Sequence, residues 1–174
     1  MPWWTGFGAL PVVFSLLLVG ASARDGEMLR GMPEIVDGDT LILEGLHLHL
    51  LGIDAPELGQ ICILRNKSFD CGDIARAALL DLTAGSQVTC RCVEPADGER
   101  VNGEQALCTV DGYDLSEGMV YTGWALAEPA RHLRYGRYES GARAAKRGLW
   151  RGAFVTPWEW RDGKRLAAEH DGKE

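Results

Sequence analysis

The chain has 174 residues, which is enough for one domain with a hydrophobic core and hardly enough for two. Its formal net charge is −7 at pH 7, and this excludes a protein that binds long nucleic acids through a broad positive surface. Any nucleic-acid chemistry would have to be local and assisted by a metal ion, so a nucleic-acid partner is possible but weak by charge. We expect a monomer.

The N-terminal stretch differs from the rest of the chain. Residues 1–23 contain no Asp, Glu, Lys or Arg, and 7–19 is apolar. Ala21-Ser22-Ala23 has the small residues that signal peptidase requires. The apolar run is too short to be a comfortable permanent membrane helix. We therefore predict a cleaved signal peptide over 1–23, with an uncleaved anchor or a misassigned start codon as the alternatives. The mature protein would be exported, periplasmic or extracellular, with no membrane attachment after cleavage.

From Pro33 onward the sequence predicts short strands separated by turns. A β-rich stretch over 40–43 is followed by a tight-turn signal at Glu44-Gly45. Leucine and histidine then alternate over 46–50, which predicts a half-buried strand with leucines on one face and histidines on the other. Pro56 ends this run because it cannot donate to a strand ladder.

The remainder of the chain predicts a helix among strands and then further helices. We predict a loop over 58–70, helices over 74–82, 115–124 and 138–149, and a hairpin formed by 86–93 and 106–110. This order indicates a small α+β domain with a closed sheet. The segment after Trp150 is charged toward its end, and we predict a C-terminal tail over 152–174.

Five cysteines lie beyond the predicted signal peptide: Cys62, Cys71, Cys90, Cys92 and Cys108. In an oxidising compartment this number predicts two disulfides and one free thiol. Cys62 and Cys71 bracket a short loop and form one plausible pair. Cys90 and Cys92 share a strand face, so either could reach Cys108, but not both. A zinc site is the weaker alternative, because no Cys-x-x-Cys spacing occurs.

Two acidic motifs carry the chemical information of the sequence. An Asp-Gly-Asp-Thr motif occupies 37–40, and an Asp-Ala-Pro-Glu motif occupies 54–57. A lone Asp-Gly-Asp is typical of a turn, but the predicted hairpin between the motifs would bring Asp39 and Asp54 together. Converging carboxylates repel unless a cation neutralises them, and hard cations such as Ca²⁺ prefer oxygen ligands. Glu57 lies near enough to orient or deprotonate a water molecule.

The two motifs, with Leu50-Leu51-Gly52-Ile53 before the second, resemble the signature of the staphylococcal nuclease (thermonuclease) family. The similarity continues through the helix at 74–82 to the Arg-Gly-Leu-Trp sequence that ends at Trp150. The resemblance implies a five-stranded OB-type β-barrel with about three capping helices over 33–151. It also implies metal-dependent hydrolysis of phosphodiester bonds in DNA or RNA.

The resemblance further implies roles for individual residues. Asp39 and Asp54 would bind Ca²⁺ through their carboxylates, and Ala55 would bind it through its backbone carbonyl. Glu57 would be the general base or would position the attacking water. Two further residues would support the site from beside it: Asp37 and Thr40.

The family pattern also has two arginines that grip the phosphate, and this chain has neither. The first position falls on His49, and the second falls on Glu104 in the segment 100–104. A histidine is mostly neutral near pH 7, and a glutamate repels phosphate. Since such arginines contribute about 10³ to 10⁵ in rate, we predict slow hydrolysis or none. Arg100 is a candidate to reach the site from the same loop.

Two alternatives remain open from the sequence. His47 and His49 could join Asp39 and Asp54 in binding Zn²⁺ or Mn²⁺, because imidazole suits these metals better than it suits Ca²⁺. The loss of both arginines also allows a catalytically inactive OB-fold module that binds a partner or has a structural role in the cell envelope.

Overall fold

The structure is a computed structural model, and it describes residues 1, 26–93, 103–129 and 132–167. The predicted signal peptide apart from Met1, as well as Arg100, lies outside the described residues. The described strands are β1 (Met28–Gly31), β2 (Glu34–Ile35), β3 (Thr40–Leu43), β4 (Leu46–Leu50), β5 (Ile53–Asp54), β6 (Ile61–Leu64), β7 (Lys67–Asp70), β8 (Val88–Cys92), β9 (Glu104–Val110), β10 (Tyr113–Asp114) and β11 (Leu126–Ala127). The described helices are α1 (Cys71–Thr83), α2 (Leu115–Thr122), α3 (His132–Ala144) and α4 (Pro157–Arg161), with a 3₁₀ turn at Gly148–Arg151.

One curled, mixed sheet forms the body of the domain. Its strand order is β1-β8-β9-β4-β3-β2, and β10 pairs with β9. The β4–β9 pairing is parallel, and the other pairings in this sheet are antiparallel. Two small sheets, β5–β11 and β6–β7, complete the fold. The α+β class and the OB-type fold are confirmed. The described residues contain seven strands in the main sheet and four α-helices, where we had predicted five strands and about three helices.

The leucines of the central hairpin hold the sheet on the core. Leu41 pairs with Leu48 across β3 and β4, and both side chains are fully buried. The alternation predicted from the sequence therefore has its leucine face inward. Each such burial contributes about 1.5–3 kcal/mol. The same register pairs Thr40 with His49 at one end of the hairpin. Because side chains alternate along a strand, this pair lies on the face opposite Leu41 and Leu48.

Residues 61–70 form a hairpin, so the prediction of a loop over 58–70 was wrong for all but its first three residues. β6 and β7 pair in antiparallel register around a two-residue turn at Arg65 and Asn66. Both turn residues have positive φ, at 51° and 61°, as two-residue hairpin turns require. Asn suits this conformation, but Arg at the first turn position is an unusual signal, and this concealed the hairpin.

Both predicted disulfides are present, and the structure resolves which cysteine is free. Cys62 bonds to Cys71, and Cys90 bonds to Cys108. Cys90 lies directly opposite Cys108 in the β8–β9 register, whereas Cys92 lies opposite Ala106. Cys92 is therefore left as a buried free thiol.

Of the helices in the described part of the chain, none is long and apolar enough to cross a membrane.

The predicted C-terminal helices shift in position. α3 ends at Ala144, earlier than the predicted end at 149, because Lys146 and Gly148 both have a φ of 50°. The 3₁₀ turn then leads into α4, which lies within the segment that we predicted as a tail.

Candidate active site

Asp39 joins the two acidic motifs. Its Oδ2 accepts a hydrogen bond of 2.6 Å from the backbone N–H of Ala55, and its Oδ1 accepts one of 3.1 Å from the hydroxyl of Thr40. The backbone carbonyl of Asp39 also accepts from the N–H of Leu50 at 2.8 Å. The turn at 37–39 and the segment after β5 are thereby held against each other.

Gly38 makes this approach possible. A Cβ at this position would lie 2.7 Å from the Cβ of Ala55 and 2.7 Å from the Cβ of Ala75 in α1. Contacts this short are not tolerated, so only glycine allows the turn to pack between the second motif and α1. Asp37 stabilises the turn by accepting a 3.0 Å hydrogen bond from the N–H of Asp39.

The Asp39 carboxylate is in an unfavourable environment for a negative charge. Burial is the largest effect that raises its pKa well above the ordinary value, and the charges of Asp37 and Asp54 raise it further. The hydrogen bonds from Ala55 and Thr40 offset this only in part. Such a carboxylate favours the approach of a cation.

A guanidinium is already present beside these carboxylates. Arg161, the last residue of α4, donates from Nη1 to Asp54 Oδ1 at 2.9 Å and from Nη2 to Asp54 Oδ2 at 2.6 Å. Nη1 also donates to Oε1 of Glu57. These contacts raise the pKa of Arg161, and the bond to Asp54 is the largest cause. The side chains of Asp54, Glu57 and Arg161 are 11%, 35% and 50% exposed, so the cluster lies at the mouth of the cleft.

Gln60 fixes the loop that carries Glu57. Its side chain is fully buried; Oε1 accepts from the N–H of Glu57 at 3.1 Å, and Nε2 donates to the carbonyl of Val155 at 2.9 Å. One amide side chain therefore connects the loop of the second acidic motif to the segment that leads into α4. Buried polar groups bonded in this way specify one arrangement of the backbone.

The two positions that lack arginine lie on the neighbouring strands β4 and β9. His49 is paired through Nδ1 with the hydroxyl of Thr40 at 3.0 Å. Glu104 pairs with Leu48 in the parallel register, and His49 pairs with Gln105. Among the described residues that line the cleft, Gln105 is present and Glu104 is not. His47 is exposed on the histidine face of β4.

The cleft has a volume of about 380 Å³. Eleven described residues line it: Asp37, Asp39, Thr40, His49, Leu50, Ile53, Asp54, Glu57, Gln105, Glu128 and Arg161. Within the described ranges, no group of three or more His, Cys, Asp or Glu side chains has a spacing that could hold a metal ion. Arg161 engages both oxygens of Asp54.

The donor chemistry nevertheless fits a hard divalent cation. Asp39 and Asp54 line the cleft and carry carboxylate oxygens, which Ca²⁺ takes in preference to nitrogen or sulfur. Burial is the main cause of the raised pKa of Asp39, and the nearby charges of Asp37 and Asp54 add to it. The residues present therefore suit such an ion, provided that Arg161 releases Asp54.

The curled mixed sheet defines a domain of the OB type, and the acidic cleft is its candidate nuclease site. Comparison with known proteins gives a consistent result, although no family model matches the chain. The chain is 31% identical over 144 residues to succinoglycan biosynthesis protein ExoI of Rhizobium meliloti (strain 1021), covering 80% of this chain and 73% of that protein. The chain belongs to the staphylococcal nuclease-like family.

Two plant proteins carry the nuclease name in this comparison. The probable staphylococcal-like nuclease CAN4 of Oryza sativa subsp. japonica is 28% identical over 138 residues, and CAN2 of the same organism is 29% identical over 134 residues. The matches cover 76% and 75% of this chain but only 25% and 33% of the two plant proteins.

Sequence reasoning missed three residues that line the cleft, Gln105, Glu128 and Arg161, and it missed Gln60, which holds the loop of Glu57. Gln60 lies in a stretch that we predicted as a loop, where nothing distinguishes a buried amide from an exposed one. For Arg161 a partial signal exists, because Thr156 and Glu159 have the spacing of a capping box with Pro157 at the first helical position. That pattern predicts α4, but it does not indicate which residues α4 contacts.

Proposed function

We propose that this chain is a thermonuclease-like domain that hydrolyses phosphodiester bonds in DNA or RNA with a divalent metal ion, and that it does so slowly. The observation that carries the proposal is the 2.6 Å hydrogen bond from Ala55 to Asp39. This bond joins the two carboxylate motifs in one cleft, in a chain that belongs to the staphylococcal nuclease-like family.

Each residue of the cleft has a role in this proposal. Asp39 and Asp54 would hold Ca²⁺ with their carboxylates, and Ala55 would hold it with its carbonyl. The bound ion would polarise the phosphodiester and offset the charge that develops on its oxygens. Glu57, with its side chain about one-third exposed, would orient the water molecule and accept its proton. Asp37 and Thr40 keep Asp39 in place through their hydrogen bonds to it.

The slow rate follows from the two replaced arginines. His49 is engaged with Thr40 and lacks the guanidinium fork that binds phosphate in a bidentate way. Glu104, which takes the second arginine position, is not among the described residues that line the cleft and supplies no guanidinium to it. Arginines that stabilise phosphoryl-transfer charge contribute about 10³ to 10⁵ in rate, so hydrolysis should be slower than in a chain with both arginines by at least the lower figure.

Ca²⁺ is the first choice of metal because the proposed ligands are all oxygens. Mn²⁺ or Zn²⁺ is the alternative if His49 turns from Thr40 and becomes a ligand. An exported protein, periplasmic or extracellular, agrees with the two disulfides, because such bonds persist in oxidising compartments. We propose that the domain acts as a monomer on nucleic acid that it binds only locally.

The test is the hydrolysis of single-stranded DNA and of RNA by the purified oxidised protein. The reactions contain Ca²⁺, Mn²⁺, Zn²⁺ or a chelator, and Asp39→Ala is assayed beside the wild type. Arg137→Gln, which removes an exposed charge outside the cleft, is the matched control. We expect slow cleavage that needs metal, is lost in Asp39→Ala and is unchanged in Arg137→Gln. Cleavage that persists in chelator or in Asp39→Ala would refute the assignment.

A second candidate function has its own supporting observation. Arg161 neutralises Asp54 and Glu57, as a side chain would in a site that is no longer catalytic. ExoI, moreover, is named for succinoglycan biosynthesis and not for nuclease activity. The domain would then be a non-enzymatic OB-fold module in the cell envelope. The absence of any cleavage above Asp39→Ala with all three metals would favour this candidate.

A further inference from the structure

The guanidinium of Arg161 binds the carboxylates of Asp54 and Glu57, to which the proposed function assigns the metal ion and the water molecule. Both oxygens of Asp54 accept from it, at 2.9 Å and 2.6 Å, and Glu57 accepts from the same Nη1. Hydrogen bonds between two charged partners are stronger than neutral ones, and the two-point contact with Asp54 also fixes the geometry. Both carboxylate oxygens of Asp54 are therefore already in contact with a cation.

Charge balance explains why a cation is held here. Among the described residues that line the cleft, one Lys or Arg side chain, that of Arg161, accompanies five acidic side chains: Asp37, Asp39, Asp54, Glu57 and Glu128. A divalent ion at this place would meet the same electrostatic need. The guanidinium and the ion are therefore alternatives for one set of oxygens.

α4 is anchored independently of this contact. Thr156 and Glu159 form a reciprocal capping box at its start, and Pro157 is fully buried. Val155, just before it, is bonded to the buried Gln60. Only the last residue of α4 reaches the carboxylates, and its side chain is half exposed. Release of Asp54 therefore requires rotation of one side chain and not the unfolding of the segment.

We propose that Arg161 is a built-in competitor for the metal site, so that its contact with Asp54 and Glu57 sets the affinity of the cleft for divalent cations. The proposal rests on the proposed function for the identity of the metal ligands. A half-exposed contact of this kind should weaken metal binding by about tenfold, because charge-assisted hydrogen bonds exceed ordinary surface ion pairs.

The test compares metal affinity in the full chain with its disulfides intact. Ca²⁺ binding is measured by calorimetry and Mn²⁺ binding by electron paramagnetic resonance, at pH 7 and fixed ionic strength. The proteins are the wild type, Arg161→Gln, Arg161→Lys, Arg137→Gln as the matched charge control, and Asp39→Ala. We expect about tenfold tighter binding in Arg161→Gln, a smaller gain in Arg161→Lys, no change beyond twofold in Arg137→Gln, and loss of binding in Asp39→Ala.

Two outcomes would overturn the proposal, and they are distinguishable. If the wild type binds metal through Asp39 and Arg161→Gln binds it equally or more weakly, Arg161 does not compete, while the proposed function stands. If neither protein binds metal, the metal centre of the proposed function fails and the competition fails with it.

A second measurement avoids the risk that a substitution unfolds α4. In the wild type, the guanidinium N–H signals of Arg161 should exchange slowly with water by NMR, and saturating Ca²⁺ should bring their exchange to the rate of an exposed arginine. Unchanged slow exchange at saturation would contradict competition.

Discussion

Gln60 offers a sharp test of how the acidic loop is held. The side chain is fully buried and makes two hydrogen bonds, one to the N–H of Glu57 and one to the carbonyl of Val155. Gln60→Leu keeps the approximate volume but can make neither bond. The substitution therefore leaves a donor and an acceptor without their partner.

The magnitude follows from the burial of the two orphaned groups. A buried polar group that loses its partner costs about 1–3 kcal/mol. Val155 is 4% exposed, so its carbonyl should suffer the full cost, whereas the partly exposed Glu57 can regain a water molecule. We therefore expect Gln60→Leu to lower the free energy of unfolding by about 2–4 kcal/mol.

The assay is equilibrium unfolding in urea with the disulfides intact, followed by circular dichroism. Ser140→Ala serves as a control, because Ser140 is exposed and its hydroxyl donates to the carbonyl of Gly136 one turn earlier in α3. That variant should lie within about 0.5 kcal/mol of the wild type. A loss of less than about 1 kcal/mol in Gln60→Leu would refute the reasoning, because the two hydrogen bonds of the buried Gln60 side chain would then contribute little to stability.

Three other predictions concern the rest of the domain. Burial raises the pKa of Tyr135 from 10.0 to about 12, so its stabilising contribution is complete below pH 10 and is lost as the pH rises to 12. In thermal unfolding, the free energy of unfolding of the wild type should fall by about 2–3 kcal/mol over this pH range, and that of Tyr135→Phe should not. An equal fall in Tyr135→Phe would contradict this prediction. Thr156→Ala should cost about 1 kcal/mol in urea unfolding by removing the cap of α4, and an unchanged midpoint would count against the capping box. Cys92 is buried, and burial raises the pKa of its thiol, so it should resist alkylation at pH 8 in the native state. Mass spectrometry after unfolding without reductant should find one alkylated thiol, and three or five would exclude the two disulfides.

The sheet and the first part of the site were predictable because their signals are local. Alternation over 46–50 identifies the inward face of β4, and one turn then places Thr40 opposite His49. Asp39 and Asp54 approach each other through this same hairpin. The cysteine pairing could be narrowed to two choices by strand periodicity, but only the cross-strand register distinguishes Cys90 from Cys92.

The remainder of the site was not predictable because it depends on contacts between distant parts of the chain. Arg161 is 107 residues from Asp54, and Gln60 is 95 residues from Val155. No periodicity or motif links positions so far apart, and a charged C-terminal segment usually remains in solvent. The docking of α4 depends on tertiary packing.

The central claim is that this cleft is a metal-dependent nuclease site made slow by the lack of a guanidinium for the phosphate. The most direct test is to return that group with His49→Arg, alone and combined with Asp39→Ala, and to measure single-turnover cleavage of single-stranded DNA with Ca²⁺ or Mn²⁺. We predict that His49→Arg raises the rate by at least tenfold and that Asp39→Ala abolishes the gain. An unchanged rate in His49→Arg, or a gain that survives Asp39→Ala, would contradict the claim.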